Sequence, residues 1–205
     1  MFMRKKDLIL VGGGGHCNAC LDVLGLLNLY NVVGIIEKNS FKLKKLHNVS
    51  VFKDQETEKL SKIYKNFLLT IGKIGKSTIR ETKYNELSSL DIEIVSLISP
   101  TAYVSTSAEI AKGVNIMHQA LININVKIGE NTIINSQSLV EHDSSIGSHC
   151  HISTGVKING GVKIGNNTFI GSGTIIHEGM TIGSDVIVGA GSIIDRNLPN
   201  DTKYC

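Results

Sequence analysis

The chain has 205 residues, of which 41% are hydrophobic and 19% charged, which is typical of a soluble globular protein and excludes a disordered one. A formal net charge of +3 is too small to indicate a nucleic-acid-binding protein, although it would not repel a phosphorylated ligand. No apolar run reaches the ~18 residues that a membrane span requires.

The first residues, 1–7, are basic and lead into a strand-like run and a glycine loop, without a small-residue cleavage site. We therefore expect no signal peptide and a cytoplasmic location. Cys17 and Cys20 form a CxxC pair, but the sequence offers neither a thioredoxin-like context nor the second pair of a zinc ribbon. Packed small side chains and no metal are expected there.

Strand-like and helical segments alternate in the first half of the chain. We predict strands at 7–12, 31–36, 66–71 and 92–98 and helices at 18–29, 55–64 and 76–88. Such alternation favours a Rossmann-like α/β domain with a parallel sheet. Pro100 then punctuates the chain, so we predict two domains, 1–97 and 98–205.

A run of four glycines, Gly12–Gly15, joins the first predicted strand to the first helix and precedes His16. Free N–H groups at a helix start attract anions, most often phosphate. Glu37 ends the second predicted strand, where an acidic side chain would meet a ribose hydroxyl. Cys17 stands where the dinucleotide fingerprint requires its last glycine. The loop therefore predicts a nucleotide or nucleotide-sugar site, with a structural turn and an NAD site as alternatives.

From Val104 to Ile194 every sixth residue is Val or Ile, through sixteen positions without a break. Neither a helix nor an alternating strand has this period, which is typical of a β-helix built from hexapeptides. The residue four positions further on is usually small, so both side chains can face a narrow interior. Three hexads would make one triangular coil, in which residues eighteen apart stack about 4.8 Å from each other. Because the interior is filled, a site must lie outside or between subunits.

His142 is the third residue of its hexad, and Gly160 stands eighteen residues later. We expect this glycine to leave an open notch beside the imidazole, with a backbone N–H nearby. An imidazole is suited to accept a proton at neutral pH, and Asp143 could orient it. His151 is expected near the next corner, half a coil away.

Two other interpretations of these histidines stay open. A histidine on the outside of a β-helix is often inert. A β-helix can also bind zinc through three histidines, as the β-helix carbonic anhydrases do. The candidates His142, His149 and His151 are spaced by seven and two residues, unlike the pair five apart and the third histidine from a neighbouring subunit in those enzymes.

Four segments make the chain resemble the bacterial sugar acetyltransferases of the NeuD/PglD type over nearly its whole length. They are VGGGGH at 11–16, TIGKIGKSTIR at 70–80, LISPTA at 97–102 and, most specifically, INSQSLVEHDSSIGSHCHISTGVKINGGVKIG at 134–165. The resemblance implies a left-handed parallel β-helix, a homotrimer and acetyl-CoA bound between neighbouring helices. It also implies an N-terminal domain that holds the acceptor sugar.

The resemblance assigns roles on the coil residue by residue. His142 is similar to the family's catalytic base, Asp143 to an acidic partner in the amino-sugar branch and Asn135 to an active-site asparagine. His151 matches a residue that contacts the acetyl group. Gly160 matches the backbone N–H beside the thioester.

In the first domain, the resemblance implies that Gly13, Gly14, His16 and Glu37 hold the acceptor nucleotide-sugar. A histidine that caps its own helix is the alternative for His16. We expect acetyl transfer from acetyl-CoA to the amine of a UDP-4-amino-dideoxy sugar, for surface glycan biosynthesis. O-acetylation of a sialic-acid-type sugar, a non-catalytic nucleotide-sugar-binding scaffold and a zinc hydratase remain alternatives.

Overall fold

The computed structural model describes residues 4–38 and 45–205. They form two compact units. The first lies within residues 1–72 and 79–97, and the second comprises 73–78 together with 98–205. The short segment 73–78 therefore groups with the second half of the chain, although the first unit flanks it on both sides in sequence.

The first unit is an α/β layer built on one sheet. Its strands are β1 (Lys6–Val11), β2 (Tyr30–Glu37), β3 (Lys45–Leu46), β4 (Val49–Lys53), β5 (Asn66–Leu69) and β6 (Glu93–Ile94), and they lie in the order β3-β4-β2-β1-β5-β6. Among the strand pairs of the described residues in this unit, β3–β4 alone is antiparallel. The helices are α1 (Gly15–Leu27), α2 (Thr57–Ser61), which follows a 3₁₀ turn at Asp54–Glu56, and α3 (Ile79–Ser88). Within the described residues no helix is both long and apolar enough to cross a membrane.

Continuous apolar runs create the centre of this sheet. Leu8–Val11 of β1 and Phe67–Leu69 of β5 are buried, as expected for parallel strands that are covered on both faces. The sequence does not predict β4, because V-S-V-F-K is short and only half buried. The strand predicted at 92–98 divides into β6 and β7 (Leu97–Ile98), and β7 belongs to a sheet of the coil.

A buried cation fixes the chain where it leaves β5. Arg80 on α3 is 1% exposed, and its Nη1 donates to the carbonyl oxygens of Leu69 at 2.9 Å and Ile71 at 2.6 Å. Burial lowers the pKa of this guanidinium to about 10, so it stays charged at neutral pH. The side chain thereby ties α3 to the end of β5.

The second unit is a left-handed parallel β-helix of two-residue strands. They are β8 (Tyr103–Val104), β9 (Glu109–Ile110), β10 (Asn115–Ile116), β11 (Leu121–Ile122), β12 (Lys127–Ile128), β13 (Ile133–Ile134), β14 (Leu139–Val140), β15 (Ser145–Ile146), β16 (His151–Ile152), β17 (Lys157–Ile158), β18 (Lys163–Ile164), β19 (Phe169–Ile170), β20 (Ile175–Ile176), β21 (Thr181–Ile182), β22 (Ile187–Val188), β23 (Ile193–Ile194) and β24 (Lys203–Tyr204).

Every third strand of the coil pairs in parallel, which gives three sheets. Leu121 pairs with Leu139, and Leu139 pairs with Lys157, so the register advances by eighteen residues per coil. This agrees with the period predicted from the sequence. From Ile116 to Ile194 each Val or Ile of the repeat is at most 4% exposed.

The corners of the coil explain two other recurrent features of the hexads. From Ile110 to Val188, the third residue after each apolar position turns the chain with a positive φ, as at Asp143 (60°) and Gly161 (67°). The next residue is small and faces inward, where its hydroxyl often pairs with a carbonyl fifteen residues later. Ser138 donates to Ser153 O at 2.8 Å, and Thr168 donates to Gly183 O at 2.8 Å. Buried carbonyls are thereby satisfied in a narrow interior.

Ile158→Ala should lower the free energy of unfolding by about 2–5 kcal/mol, because it leaves a cavity in the middle of the stacked apolar positions. Ile158 is 0% exposed, whereas its strand neighbour Lys157 is exposed. Lys157→Ala is therefore the control and should change stability by less than about 0.5 kcal/mol. Denaturant unfolding measures both. Equal effects of the two substitutions would contradict the inward placement of Ile158.

Candidate active site

The corner after β14 brings His142 and Asp143 together. Because Asp143 adopts φ 60°, the strand alternation that would separate neighbouring side chains does not apply here. His142 Nδ1 lies 2.8 Å from Asp143 Oδ2, and Asp143 Oδ1 accepts a hydrogen bond of 3.0 Å from Asn125 Nδ2. A carboxylate only accepts, so Nδ1 carries the proton and Nε2 of the neutral ring keeps its lone pair. This is the arrangement of an oriented base.

The same contacts set the charge of the pair. The hydrogen bond that His142 donates to Asp143 raises the pKa of His142 above its usual value, and the negative charges of Asp143, Glu141 and Glu178 act in the same direction. Hydrogen bonds from Asn125 and His142 lower the pKa of Asp143. The site thus contains a permanently charged carboxylate beside an imidazole of increased basicity.

Asp143→Asn should shift the titration midpoint of His142 to lower pH. Asparagine tolerates the left-handed corner conformation, so the backbone should persist while the negative charge is lost. The carboxylate favours the imidazolium, and without it the ring loses its proton more easily. NMR titration of the imidazole measures the change. Glu130→Gln, which removes an exposed carboxylate elsewhere on the coil, should leave the midpoint in place. An unchanged midpoint in Asp143→Asn would show that the pair is not formed in solution.

Gly160 does not leave the open notch that the sequence predicts. A Cβ atom built on Gly160 would lie 2.7 Å from Cε1 and 2.8 Å from Nε2 of His142. The imidazole itself therefore occupies the space above the glycine. The coil continues normally beside it, since Gly161 N donates to His142 O at 2.9 Å. Glycine at 160 is what allows the ring to lie there.

A second pair of polar side chains lies on β13–β16. His151 on β16 is 8% exposed; its Nδ1 lies 2.5 Å from Lys73 O and its Nε2 lies 3.3 Å from Asn135 Nδ2. The Ser136 N–H donates to Asn135 Oδ1 at 2.8 Å. The edge of the His151 ring meets Phe169, with centroids 5.5 Å apart. Packing and three hydrogen bonds thus fix both side chains.

The glycine loop of the first unit forms an uncapped helix N-terminus. Gly12 has φ 106°, and a Cβ there would lie 2.5 Å from Cγ1 of Ile71, so this position requires glycine. Gly14 is the N-cap of α1 but provides no side-chain cap, and the first turn contains no acidic residue. Among residues 4–38 and 45–205, nothing would lie within 4 Å of a Cβ at Gly14. A helix N-terminus without a side-chain cap favours an anion.

The other predicted acceptor-site residues lie around this loop. Glu37, at the end of β2, accepts a hydrogen bond of 2.6 Å from the Gly13 N–H. His16 lies in the first turn of α1 and is half-buried. The structure thus brings Gly13, Gly14, His16 and Glu37 to one end of the sheet.

Three of the four cysteines lie in surroundings that disfavour redox or metal chemistry. Cys17, Cys20 and Cys150 are buried. Burial raises the pKa of each thiol, to about 12 for Cys20 and Cys150, which disfavours the reactive thiolate. In residues 4–38 and 45–205, no group of three or more His, Cys, Asp or Glu side chains is placed to hold a metal ion.

Comparison with known families identifies both halves of the chain. A model of the PglD N-terminal domain matches residues 7–87. A model of the bacterial transferase hexapeptide, with six repeats, matches residues 125–160 and 161–196. A search of curated protein sequences finds no match.

Solved structures resemble this chain over nearly its full length. PerB from Caulobacter crescentus, in complex with CoA and GDP-perosamine, is 28% identical, with 98% of this chain and 94% of that chain covered and a TM-score of 0.89. A histidine-to-asparagine variant of perosamine N-acetyltransferase from Caulobacter crescentus, with the same two ligands, is 27% identical, with 98% and 93% covered and a TM-score of 0.89.

The acetyltransferase domain of PglB from Neisseria gonorrhoeae, in complex with acetyl coenzyme A, has the same fold. It is 24% identical, with 98% of this chain and 96% of that chain covered and a TM-score of 0.87. At this identity the likeness establishes the architecture alone. Both units of the chain are therefore found together, in the same order, in known structures.

Proposed function

We propose that this chain, which belongs to the NeuD/PglD-type sugar acetyltransferases with hexapeptide repeats, transfers an acetyl group from acetyl-CoA to an amine. The amine is that of a nucleotide-linked amino sugar. The observation that carries this proposal is the His142–Asp143 pair, an oriented base on the surface of the coil. The similarity to an N-acetyltransferase that holds CoA and GDP-perosamine supports the choice of an amine acceptor.

His142 acts as the general base. Its Nε2 takes a proton from the sugar amine as the amine nitrogen bonds to the thioester carbonyl carbon. Asp143 holds Nδ1 and stabilises the imidazolium. The C–S bond then breaks, and the imidazolium returns its proton to the departing CoA thiolate, which gives CoA and the N-acetyl sugar. General base catalysis of this kind typically contributes about 10²–10⁴-fold.

The backbone N–H of Gly160 supports the negative charge that develops on the carbonyl oxygen. Gly160 touches the ring of His142, so a carbonyl carbon within reach of that base also lies near this N–H. Removal of one such donor commonly costs about 3 kcal/mol in the barrier. Positioning of two bound substrates contributes most of the remaining acceleration.

The first unit holds the acceptor. The uncapped start of α1 at Gly14 suits the diphosphate of a nucleotide-sugar, while the Gly13 N–H holds the carboxylate of Glu37 in place. Glu37 suits a ribose or sugar hydroxyl, and His16, in the first turn of α1, is assigned to the same acceptor. We accordingly assign residues 1–97 to acceptor binding, apart from the segment 73–78, which belongs with residues 98–205 to the unit of acetyl transfer.

The chain forms a homotrimer with active sites between subunits, in the cytoplasm, where acetyl-CoA is available. Exposed apolar side chains on one sheet of the coil, on both sides of the exposed Lys157, support this assembly. Tyr103 on β8 is 61% exposed, Leu121 on β11 is 37% exposed and Ile193 on β23 is 56% exposed, and all three share that sheet. Burial of such a face against neighbouring copies is how repeat coils remain soluble. Sedimentation as a stable monomer at micromolar concentration would contradict the trimer.

Release of free thiol from acetyl-CoA tests the proposed reaction. The assay uses UDP-, GDP- and CMP-linked amino sugars as acceptors, with a free sialic acid as the alternative. Thiol release with an amino sugar and an acetyl product stable to hydroxylamine is the expected result. A hydroxylamine-labile product would indicate O-acetylation. Binding of nucleotide-sugars without thiol release would indicate a scaffold and overturn the proposal.

A further inference from the structure

Lys73 is a buried cation that the proposed reaction does not use. It is 4% exposed, and its Nζ donates to the carbonyl oxygens of His149 at 3.0 Å and Asn167 at 2.8 Å. These two carbonyls lie at one corner of the coil, eighteen residues apart. A buried ammonium is stable only when its hydrogens are paired. Lys73 therefore anchors the segment 73–78 to two successive coils.

The anchored segment in turn holds His151. The carbonyl oxygen of Lys73 lies 2.5 Å from His151 Nδ1. A carbonyl oxygen can only accept, so Nδ1 must carry a proton. The side chain of Lys73 thus fixes the position of its own carbonyl group, and this carbonyl group requires the proton on His151 Nδ1.

The contact with Asn135 determines whether the other ring nitrogen of His151, Nε2, carries a proton. The Ser136 N–H can only donate, so its 2.8 Å partner on Asn135 is the amide oxygen, as placed. The Asn135 amide nitrogen then faces His151 Nε2 at 3.3 Å. Because an amide nitrogen only donates, Nε2 must keep its lone pair. Both partners therefore require a neutral His151 with its proton on Nδ1.

We propose that Lys73 is a positioning residue, which holds His151 as the neutral Nδ1–H tautomer and, through it, orients the amide of Asn135. This inference rests on the proposed acetyl transfer and refines it. In this tautomer His151 Nε2 cannot donate to the carbonyl oxygen of the acetyl group. Because Asn135 follows β13 and Gly160 follows β17, on different sheets of one coil, the two donors to that oxygen come from neighbouring subunits of the proposed trimer: the second N–H of Asn135 from one and the backbone N–H of Gly160 from the other. Lys73 acts only through other residues and does not touch the reacting atoms.

Imidazole nitrogens report their protonation directly in long-range ¹H–¹⁵N NMR spectra of the full chain labelled at its seven histidines. The His151→Gln variant identifies the His151 signals. At neutral pH and without substrate, we expect a protonated Nδ1 and an unprotonated Nε2. In Lys73→Met, which keeps the length of the side chain but loses the donor, His151 should show both tautomers.

The kinetic consequence is a change in kcat more than in the KM for acetyl-CoA. A catalytic group displaced by about 1 Å can lose up to about a hundredfold in rate, so we expect Lys73→Met to lower kcat by about ten- to a hundredfold. Lys76→Met is the matched control, because Lys76 is on the same segment, is exposed and faces Asp201 at 3.7 Å. It should leave both the kinetics and the His151 signals unchanged.

A protonated Nε2 or a cationic His151 in the wild-type spectrum would overturn the inference, and the wild-type spectrum decides even if Lys73→Met does not fold. Equal kinetic effects of Lys73→Met and Lys76→Met would also contradict it. The NMR readout needs no substrate. If the proposed acetyl transfer is wrong, thiol release will be absent although His151 shows the expected tautomer. If this inference is wrong, the enzyme will be active but His151 will show the opposite tautomer.

Discussion

His142→Ala should lower the turnover number by at least about a hundredfold, while the affinity for acetyl-CoA changes little. The substitution removes the nitrogen that takes the proton of the attacking amine. Asp143 cannot replace it, because its carboxylate is held by Asn125 and its lowered pKa makes it a weak base. Thiol release gives the turnover number, and calorimetric titration with CoA gives the affinity.

Two controls distinguish the loss of a base from the loss of structure. The His142 side chain is 53% exposed, so its removal should leave the thermal unfolding temperature unchanged. His177→Ala removes another exposed histidine of the coil, which takes no part in the pair, and should retain wild-type turnover. Turnover of His142→Ala within tenfold of the wild-type value would remove His142 from the role of base.

The coil could be predicted from the sequence because one constraint repeats at every hexad. Each apolar position must face the same narrow interior, so the period alone gives the register of eighteen residues that the strand pairs show. The first unit gives a weaker signal. Its buried strands β1 and β5 are apolar throughout and were predicted, whereas the half-buried β4 has no continuous apolar run and was missed.

The site was only partly predictable, since its contacts depend on corner conformations and single rotamers. Stacking by eighteen placed Gly160 over His142 correctly. It could not show that the imidazole turns into that space and fills it. Likewise, strand alternation separates His142 from Asp143, and only the positive φ of Asp143 brings the carboxylate to Nδ1.

No local sequence pattern predicts the role of Lys73. Its partners are carbonyl groups 76 and 94 residues later in the chain, and carbonyl groups are present at every position. A lysine between glycines in a loop therefore looks like an ordinary solvated charge. The available signal was indirect: the segment 70–80 was one of the four that carried the family resemblance.

Gly160→Ala should lower the turnover number by about a hundredfold through displacement of His142, a loss comparable with that of other misplaced catalytic groups. The backbone of Gly160 lies outside the left-handed region, so alanine can adopt it. The added methyl group would instead lie 2.7–2.8 Å from two ring atoms of His142, closer than real Cβ contacts. Because that ring is exposed, it can swing away, at the cost of its hydrogen bond to Asp143. The titration midpoint of His142 should therefore fall together with turnover.

Two other glycines, Gly147 and Gly25, distinguish this displacement of His142 from a general loss of stability caused by alanine at a glycine position. A Cβ at Gly147 would lie 2.8 Å from the backbone nitrogen of Asn166, and rigid backbone cannot swing away. Gly147→Ala should therefore destabilise the coil, whereas Gly160→Ala should unfold at nearly the wild-type temperature. Gly25→Ala, where nothing lies within 4 Å of the added atom, should retain both stability and turnover. If turnover of Gly160→Ala is nearly normal, or falls only as the protein unfolds, the imidazole does not lie over this glycine in the working enzyme.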